Sequence, residues 1–166
     1  MFNGGKCAMF DAAGLSPPPS ILIADDDDDD VYLIRSALKA VGQGAGARVA
    51  CDRVANGVDA LAWLSRRELM CQLPAAVILD INMPRLDGIG VLRALRQSFD
   101  MRGLAVFVLT TAATETVHGA ALDLGATRIF VKPNTMGELT DIVREILSLV
   151  HLGAAVGADG TRGVKA

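Results

Sequence analysis

Aromatic residues are scarce in this sequence, since five Phe, one Trp and one Tyr make up only 4% of its 166 residues. Because 51% of the residues are nevertheless hydrophobic, the core must be built mainly from Ala, Val, Leu and Ile. Such side chains suit helices packed against a parallel sheet. A chain of this length has room for one domain with a sizeable core.

Basic clusters and long apolar runs are also missing. The formal net charge is −3, and without a basic cluster it argues against nucleic-acid binding through phosphates. No apolar run approaches the roughly 18 residues of a membrane-spanning helix. The N-terminal residues around Lys6 contain no apolar stretch typical of a signal peptide. We therefore expect a soluble, cytoplasmic protein that binds neither nucleic acid nor membranes.

Paired cysteines are absent as well. Cys7, Cys51 and Cys71 are scattered, and none belongs to a C-x-x-C or C-x-x-H motif. We expect reduced thiols rather than a disulfide framework or a zinc site.

Short apolar segments alternate with stretches of helical periodicity along most of the chain. The strands are predicted at 21–24, 49–54, 75–79, 104–109 and 128–131. Alternation of this kind predicts a parallel sheet with helices on both faces. The expected fold is α/β, a flavodoxin-like doubly wound five-stranded parallel sheet of (βα)5 type with strand order 2-1-3-4-5. We place this domain at residues 20–151, between a flexible leader at 1–19 and a flexible tail at 152–166.

Two of the predicted strands end in aspartates. The first runs into Asp25 and Asp26, and the third ends at Asp80. In the order 2-1-3-4-5 these strands are neighbours, so the three carboxylates should share one crevice. Two carboxylates about 4 Å apart repel each other by about 4 kcal/mol at an effective dielectric constant of ~20, so the fold needs a cation or a proton to offset the repulsion.

Magnesium suits such a crevice because it prefers carboxylate oxygens and keeps several waters. We expect Asp26 and Asp80 to be direct ligands and Asp25 to bind directly or through water. The main-chain carbonyl of Asn82 is well placed as a further ligand just beyond the third strand.

The fourth and fifth predicted strands end in groups that would stabilise a phosphorylated aspartate. Such a species forms when a carboxylate attacks phosphorus, and its added charge calls for a cation and hydrogen-bond donors. Lys132 offers the cation and Thr110 offers a hydroxyl. Taken singly, Lys132 could be a surface charge and Thr110 a helix N-cap, but together with Asp80 they indicate a phosphoryl-acceptor site.

We interpret Asp28, Asp29 and Asp30 as solvated residues that favour the positive end of a helix.

Four segments carry a family resemblance, and they are ILIADD at 21–26, VILDINMPRLDG at 77–88, VFVLTT at 106–111 and IFVKP at 129–133. On these motifs, residues from about 20 to 151 resemble the receiver domain of two-component response regulators. More loosely, DDDDDDVYLIRSAL and VLTTAATE resemble the single-domain receivers that partner phytochrome-type histidine kinases.

The resemblance implies particular roles for the residues at the strand ends. Asp80 would accept the phosphoryl group, and Asp25 and Asp26 would form the acidic pair, with Asp26 the firmer Mg²⁺ ligand. Thr110 would move toward the phosphoryl oxygen and Lys132 would pair with it. Such a protein is not an enzyme acting on an outside substrate, although it assists its own phosphorylation and dephosphorylation.

The resemblance also implies partners and a route for the signal. A sensor histidine kinase would donate the phosphoryl group. Phosphorylation would then shift the face made by the fourth helix, the fifth strand and the fifth helix, altering homodimerisation or partner docking. The segment after His151 is short, so we expect a stand-alone receiver that signals through its own surface.

In this family the bond corresponding to Lys132–Pro133 is often cis. The position usually held by a large aromatic residue is Ile129, with Phe130 next.

Two other functions remain open from the sequence. A pseudo-receiver would dimerise without phosphate, although such modules lose the acceptor, acid pair, hydroxyl or lysine, all of which are present. An aspartate-based phosphatase would use the same kind of sheet, but it usually has a second aspartate where Asn82 stands.

Overall fold

The computed structural model describes residues 19–46, 48–98, 101–111 and 114–158. Strands and helices alternate along the chain as β1 (Ser20–Ala24), α1 (Asp28–Gly44), β2 (Ala50–Val54), α2 (Gly57–Leu69), β3 (Ala76–Leu79), α3 (Gly88–Gln97), β4 (Ala105–Thr110), α4 (Glu115–Asp123), β5 (Arg128–Val131) and α5 (Met136–Ala158). The predicted alternation of strands and helices is confirmed.

The strands form one parallel sheet in the order β2-β1-β3-β4-β5. The predicted flavodoxin-like topology is therefore confirmed, and β1 lies next to β3. Ala24, the last residue of β1, is paired in register with Leu79, the last residue of β3. Because both strands end at the same level, Asp25 and Asp80 leave the sheet side by side.

The sheet buries an apolar layer on each face. Alternate residues of a strand point to opposite faces, so Leu22 joins the layer under α2, α3 and α4, whereas Ile23 joins the layer under α1 and α5. The buried side chains are mostly aliphatic, as expected, and Phe107 is the largest one that is fully buried. This packing fixes the strand ends, and with them the residues that follow.

Polar side chains cap the helices that begin near these strand ends. Asp27 caps α1 by accepting hydrogen bonds from the main-chain N–H groups of Asp29 and Asp30, at 2.9 and 3.1 Å. The bonds from Asp30 and Asp29 lower the pKa of the Asp27 carboxyl. Asp87 caps α3 in the same way by accepting from the N–H of Gly90 at 2.7 Å. The caps satisfy N–H groups that lack partners in the first turn of a helix.

Three details of the chain differ from what the sequence suggested. Cys51 is a free thiol, but Cys71 is disulfide-bonded, so the expectation of reduced thiols is wrong there. Cysteine spacing could not reveal this, because pairing depends on proximity in the fold. The Lys132–Pro133 bond is trans, since the described residues include no cis peptide, which agrees with the intrinsic preference of an X-Pro bond. The backbone of α5 continues to Ala158, past the expected domain boundary at 151.

Residues 1–18 of the predicted leader and 159–166 of the predicted tail lie outside the described residues, so the proposed division at 1–19, 20–151 and 152–166 stays a prediction. Within the part of the chain that the structure describes, no helix combines the length and apolarity needed to cross a membrane.

Candidate functional site

Three aspartates meet at the carboxyl ends of β1 and β3. The main-chain N–H of Asp25 donates to the carbonyl of Val54 at 3.1 Å, and that of Asp80 donates to the carbonyl of Ala24 at 2.9 Å. Both bonds extend the sheet by one residue and fix where these side chains start. Carboxylate oxygens of Asp25, Asp26 and Asp80 lie within 4.8 Å of one another. The structure thus brings together the three acids that the strand order predicted.

The three carboxylates differ in their exposure. Asp25 and Asp80 are buried, with 1% and 6% of their surface exposed, whereas Asp26 is exposed. Burial raises the pKa of the Asp25 carboxyl, against the opposing effect of its hydrogen bond from Lys132. One oxygen of Asp80, Oδ1, accepts a hydrogen bond from the main-chain N–H of Ile81 at 2.7 Å. This bond orients the Asp80 carboxylate in the crevice.

The donor set suits a hard divalent cation. All three side chains offer oxygen atoms, and the exposed Asp26 leaves one side of the group open to waters and ligands. Mg²⁺ prefers this combination of a few carboxylates and several waters. Asn82 follows β3 in the loop before α3, with an exposed side chain. That its main-chain carbonyl binds the metal stays a prediction.

Lys132 reaches this group from the end of β5. Its Nζ bonds to Asp30 at 2.7 Å, to Asp25 at 2.9 Å and to Asp80 at 3.3 Å, and only 12% of its side chain is exposed. Burial alone would lower the pKa of Lys132, but the hydrogen bonds with Asp30 and Asp25 outweigh it and raise the pKa above its usual value. The lysine is therefore a fixed positive charge among carboxylates.

Thr110 is the last residue of β4, the strand between β3 and β5. It is fully buried, and its main-chain carbonyl accepts a hydrogen bond from the N–H of Lys132 at 3.0 Å. Thr110 therefore lies between the strand that leads to Asp80 and the strand that leads to Lys132. The four predicted positions at the strand ends are gathered at one edge of the sheet.

Asp30 also contacts Lys132, which the interpretation of the sequence did not predict. Asp28 behaves as expected, since its side chain is 85% exposed and pairs with Arg53 at 2.6 Å. Asp30 does not, because it bonds to Lys132. The helical periodicity of the sequence could have identified Asp30. Asp30 lies four residues before the buried Ile34, so both occupy the inward face of α1.

Arg53 was also missed. It lies on β2, paired in register with Ile23 of β1. Its guanidinium donates to the main-chain carbonyls of Asp25 and Asp26, each at 3.2 Å. Arg53 thus holds the backbone of the acidic loop rather than a carboxylate of the cluster.

Ile129 and Phe130 of β5 face opposite sides of the sheet. Ile129 packs against the apolar layer under α2, α3 and α4, whereas Phe130 packs against the layer under α1 and α5. Phe130 therefore does not supply an aromatic side chain on the side that Ile129 faces. The departure noted in the sequence is confirmed in the packing.

Comparisons with known proteins agree with this fold. The model of the family described as "response regulator receiver domain" matches residues 21–144. A curated relative, response regulator MprA of Mycobacterium leprae, is 38% identical over 92 residues, which cover 55% of this chain and 37% of MprA. MprA of Mycobacterium ulcerans is 36% identical over 104 residues, covering 63% of this chain and 42% of the relative. The aligned part of this chain thus spans less than half the length of these relatives.

Solved structures of receivers share the architecture. The phosphorylated cyanobacterial phytochrome response regulator RcpA superimposes with a TM-score of 0.72 at 24% identity, covering 80% of this chain and 94% of RcpA. The Mn²⁺-bound response regulator Rcp1 gives 0.69 at 26% identity, covering 90% of this chain and all of Rcp1 (100%). RPA3017 of R. palustris gives 0.68 at 28% identity, covering 79% and 92%.

Proposed function

The chain belongs to the response regulator receiver domain family, and we propose that it accepts a phosphoryl group on Asp80 from a phosphohistidine of a sensor histidine kinase. One observation carries the proposal. The buried carboxylate of Asp80 lies beside two further acids that suit Mg²⁺ and 3.3 Å from the ammonium of Lys132. In this setting a cation would offset the repulsion among the carboxylates, and Lys132 can pair with added negative charge.

In the proposed transfer, a carboxylate oxygen of Asp80 attacks phosphorus. The new P–O bond forms as the P–N bond to the kinase histidine breaks, and that electron pair stays on the imidazole nitrogen. Lys132 pairs with a phosphoryl oxygen, and the Thr110 hydroxyl moves to donate to another. Mg²⁺, held by Asp26, Asp80, Asp25 and the Asn82 carbonyl, would supply positive charge for the phosphoryl oxygens. Attack of water on phosphorus later releases phosphate and restores Asp80.

The solved structures bear on the partners. Rcp1 is described in its Mn²⁺-bound form, which supports a divalent cation in the cluster of this chain. RPA3017 is described in red light signalling. Together with the sequence resemblance, this supports a phytochrome-type histidine kinase as the phosphoryl donor.

The experiment is phosphorylation by acetyl phosphate, with and without Mg²⁺. We expect one phosphoryl group per chain, located on Asp80 by mass spectrometry, only when Mg²⁺ is present. Asp80→Asn should lose the labelling because the amide is not nucleophilic. Asp87→Asn is the matched control, since it changes another aspartate of the same loop, whose side chain caps α3 and is not one of the three grouped carboxylates. It should label like the wild-type protein.

The same assay separates the alternatives. Equal labelling of Asp80→Asn and wild-type protein would show that Asp80 is not the acceptor. Self-association without any labelling would favour the pseudo-receiver. Sustained hydrolysis of a generic phosphate ester would favour an aspartate-based phosphatase.

We further propose that phosphorylation acts on the face made by α4, β5 and α5. Each of these elements carries an exposed apolar side chain, Leu122 of α4 at 54%, Val131 of β5 at 48% and Met136 of α5 at 41%. Exposed apolar groups on several elements suit docking of a second copy or of another protein. Light scattering on phosphorylated and unphosphorylated samples should give different average masses. The same mass in both states would exclude phosphorylation-dependent self-association.

A further inference from the structure

The shortest bond of Lys132 is not with the proposed acceptor. Its Nζ lies 2.7 Å from Asp30 and 3.3 Å from Asp80. We propose that Asp30 is a competing counter-ion, which holds Lys132 in the unphosphorylated protein and thereby shortens the life of the phosphorylated state. This inference deepens the proposed function and rests on it.

Asp30 differs from the other acids around Lys132 because it stands apart from the metal-binding group. The carboxylate oxygens that lie within 4.8 Å of one another come from Asp25, Asp26 and Asp80. Asp30 projects from the first turn of α1, is not one of these three, and has a side chain that is 35% exposed. A cation bound to the cluster would therefore neutralise the other acids and leave Asp30 as a partner for Lys132.

Phosphorylation sets Asp30 and Asp80 in competition. A phosphoryl group carries a charge of about −1.5 to −2 near neutral pH, so it is a stronger partner for Lys132 than the Asp80 carboxylate. To bind it, Lys132 must weaken its bond with Asp30. The Asp30 carboxylate also repels the new charge. Both effects destabilise the phosphorylated state, so removing the charge of Asp30 should stabilise it.

The ion pair also joins two parts of the fold. Asp30 belongs to α1, and Lys132 belongs to the segment between β5 and α5. When Lys132 turns toward a phosphoryl oxygen, this tie between α1 and the start of α5 is weakened. Asp30 is thus a positioning residue that acts through Lys132.

The test is equilibrium binding of beryllofluoride, a phosphoryl mimic, at saturating Mg²⁺. We expect Asp30→Asn to bind it about tenfold more tightly than wild-type protein, a change equivalent to ~1.4 kcal/mol. The aspartyl phosphate formed with acetyl phosphate should also last longer in this variant. Asp30→Glu, which keeps the charge, should restore values near those of the wild-type protein.

Asp29→Asn is the matched control. Asp29 lies in the same helical turn, is exposed and is not a partner of Lys132. The substitution removes the same charge from the positive end of α1, so it reports the general electrostatic effect. We expect its affinity to stay within about twofold of the wild-type value, as for an exposed charge screened by salt.

The outcomes separate this inference from the proposed function. If the wild-type protein labels on Asp80 and binds beryllofluoride, equal or weaker binding by Asp30→Asn overturns the role of Asp30 alone. An effect of Asp29→Asn as large as that of Asp30→Asn also overturns it, because bulk charge would then suffice. If wild-type protein neither labels nor binds, the proposed function fails and this inference fails with it.

Discussion

Lys132→Met is expected to lower the free energy of unfolding by about 3 kcal/mol when divalent cations are removed, because breaking a buried ion pair leaves uncompensated charge. The ammonium bonds to Asp25, Asp30 and Asp80, and only 12% of the lysine side chain is exposed. Methionine keeps the apolar stem but leaves these carboxylates to repel one another. Urea denaturation in EDTA measures the loss. Stable phosphorylation of Asp80 should also be lost, because no cation remains at this position for the phosphoryl oxygen.

Adding Mg²⁺ should restore much of the stability of this variant. An ion that binds only the folded protein stabilises it according to its concentration and affinity. Without the competing ammonium, the cluster should bind Mg²⁺ more tightly than in the wild-type protein. Lys39→Met, which changes an exposed lysine of α1, is the matched control and should behave like the wild type. If Mg²⁺ stabilised Lys132→Met no more than Lys39→Met, Lys132 would not be the cation that balances the cluster.

Most of the fold followed from the sequence because the sheet is buried on both faces. The segment Ala76–Leu79 is apolar and fully buried, since β3 lies between β1 and β4 with helices above and below. A short apolar run of this kind, flanked by segments with helical periodicity, indicates a buried strand. The far end of α5 was not predicted, because Gly153, Ala154, Ala155 and Gly157 leave no clear apolar period.

The candidate site was predicted where topology alone decides and missed where helix register decides. Asp25, Asp80 and Lys132 directly follow strands and Thr110 is the last residue of one, so the strand order was enough to bring them together. In a run of six aspartates, however, composition does not distinguish the residue that faces inward. Only the exact start of α1, set by the Asp27 cap, turns Asp30 rather than Asp28 or Asp29 toward Lys132.

The packing of β5 limits how a change at Asp80 could reach the surface. Ile129 faces the α4 side and Phe130 the α5 side, because neighbouring residues of a strand alternate. Any movement of Thr110 toward a phosphoryl oxygen would therefore meet an aliphatic side chain on the α4 side. The ion pair of Asp30 with Lys132 offers a second route, toward α1. The two routes predict changes on different faces, which amide exchange with and without beryllofluoride can distinguish.

Gly88→Ala should lower the free energy of unfolding by about 1–3 kcal/mol, as overpacking does. Gly88 is the first residue of α3, and its N–H donates to the carbonyl of Ile81 at 2.9 Å. A Cβ at this position would lie 2.4 Å from the main-chain oxygen of Asp80 and 2.9 Å from Cα of Ile81. These are backbone atoms, so the segment carrying the proposed acceptor must shift. Because a shift of ~1 Å can cost about 100-fold in rate, labelling by acetyl phosphate should slow markedly.

Gly119→Ala is the control for this effect. Gly119 lies in α4, and a Cβ there would have no neighbour within 4 Å. The same substitution should therefore raise stability by about 0.5–1 kcal/mol, as alanine does inside a helix, and leave labelling unchanged. Thermal or urea unfolding together with the labelling rate gives both numbers for each variant. If Gly88→Ala were as stable and as quickly labelled as Gly119→Ala, the close approach of α3 to Asp80 would not be what holds the acceptor in place.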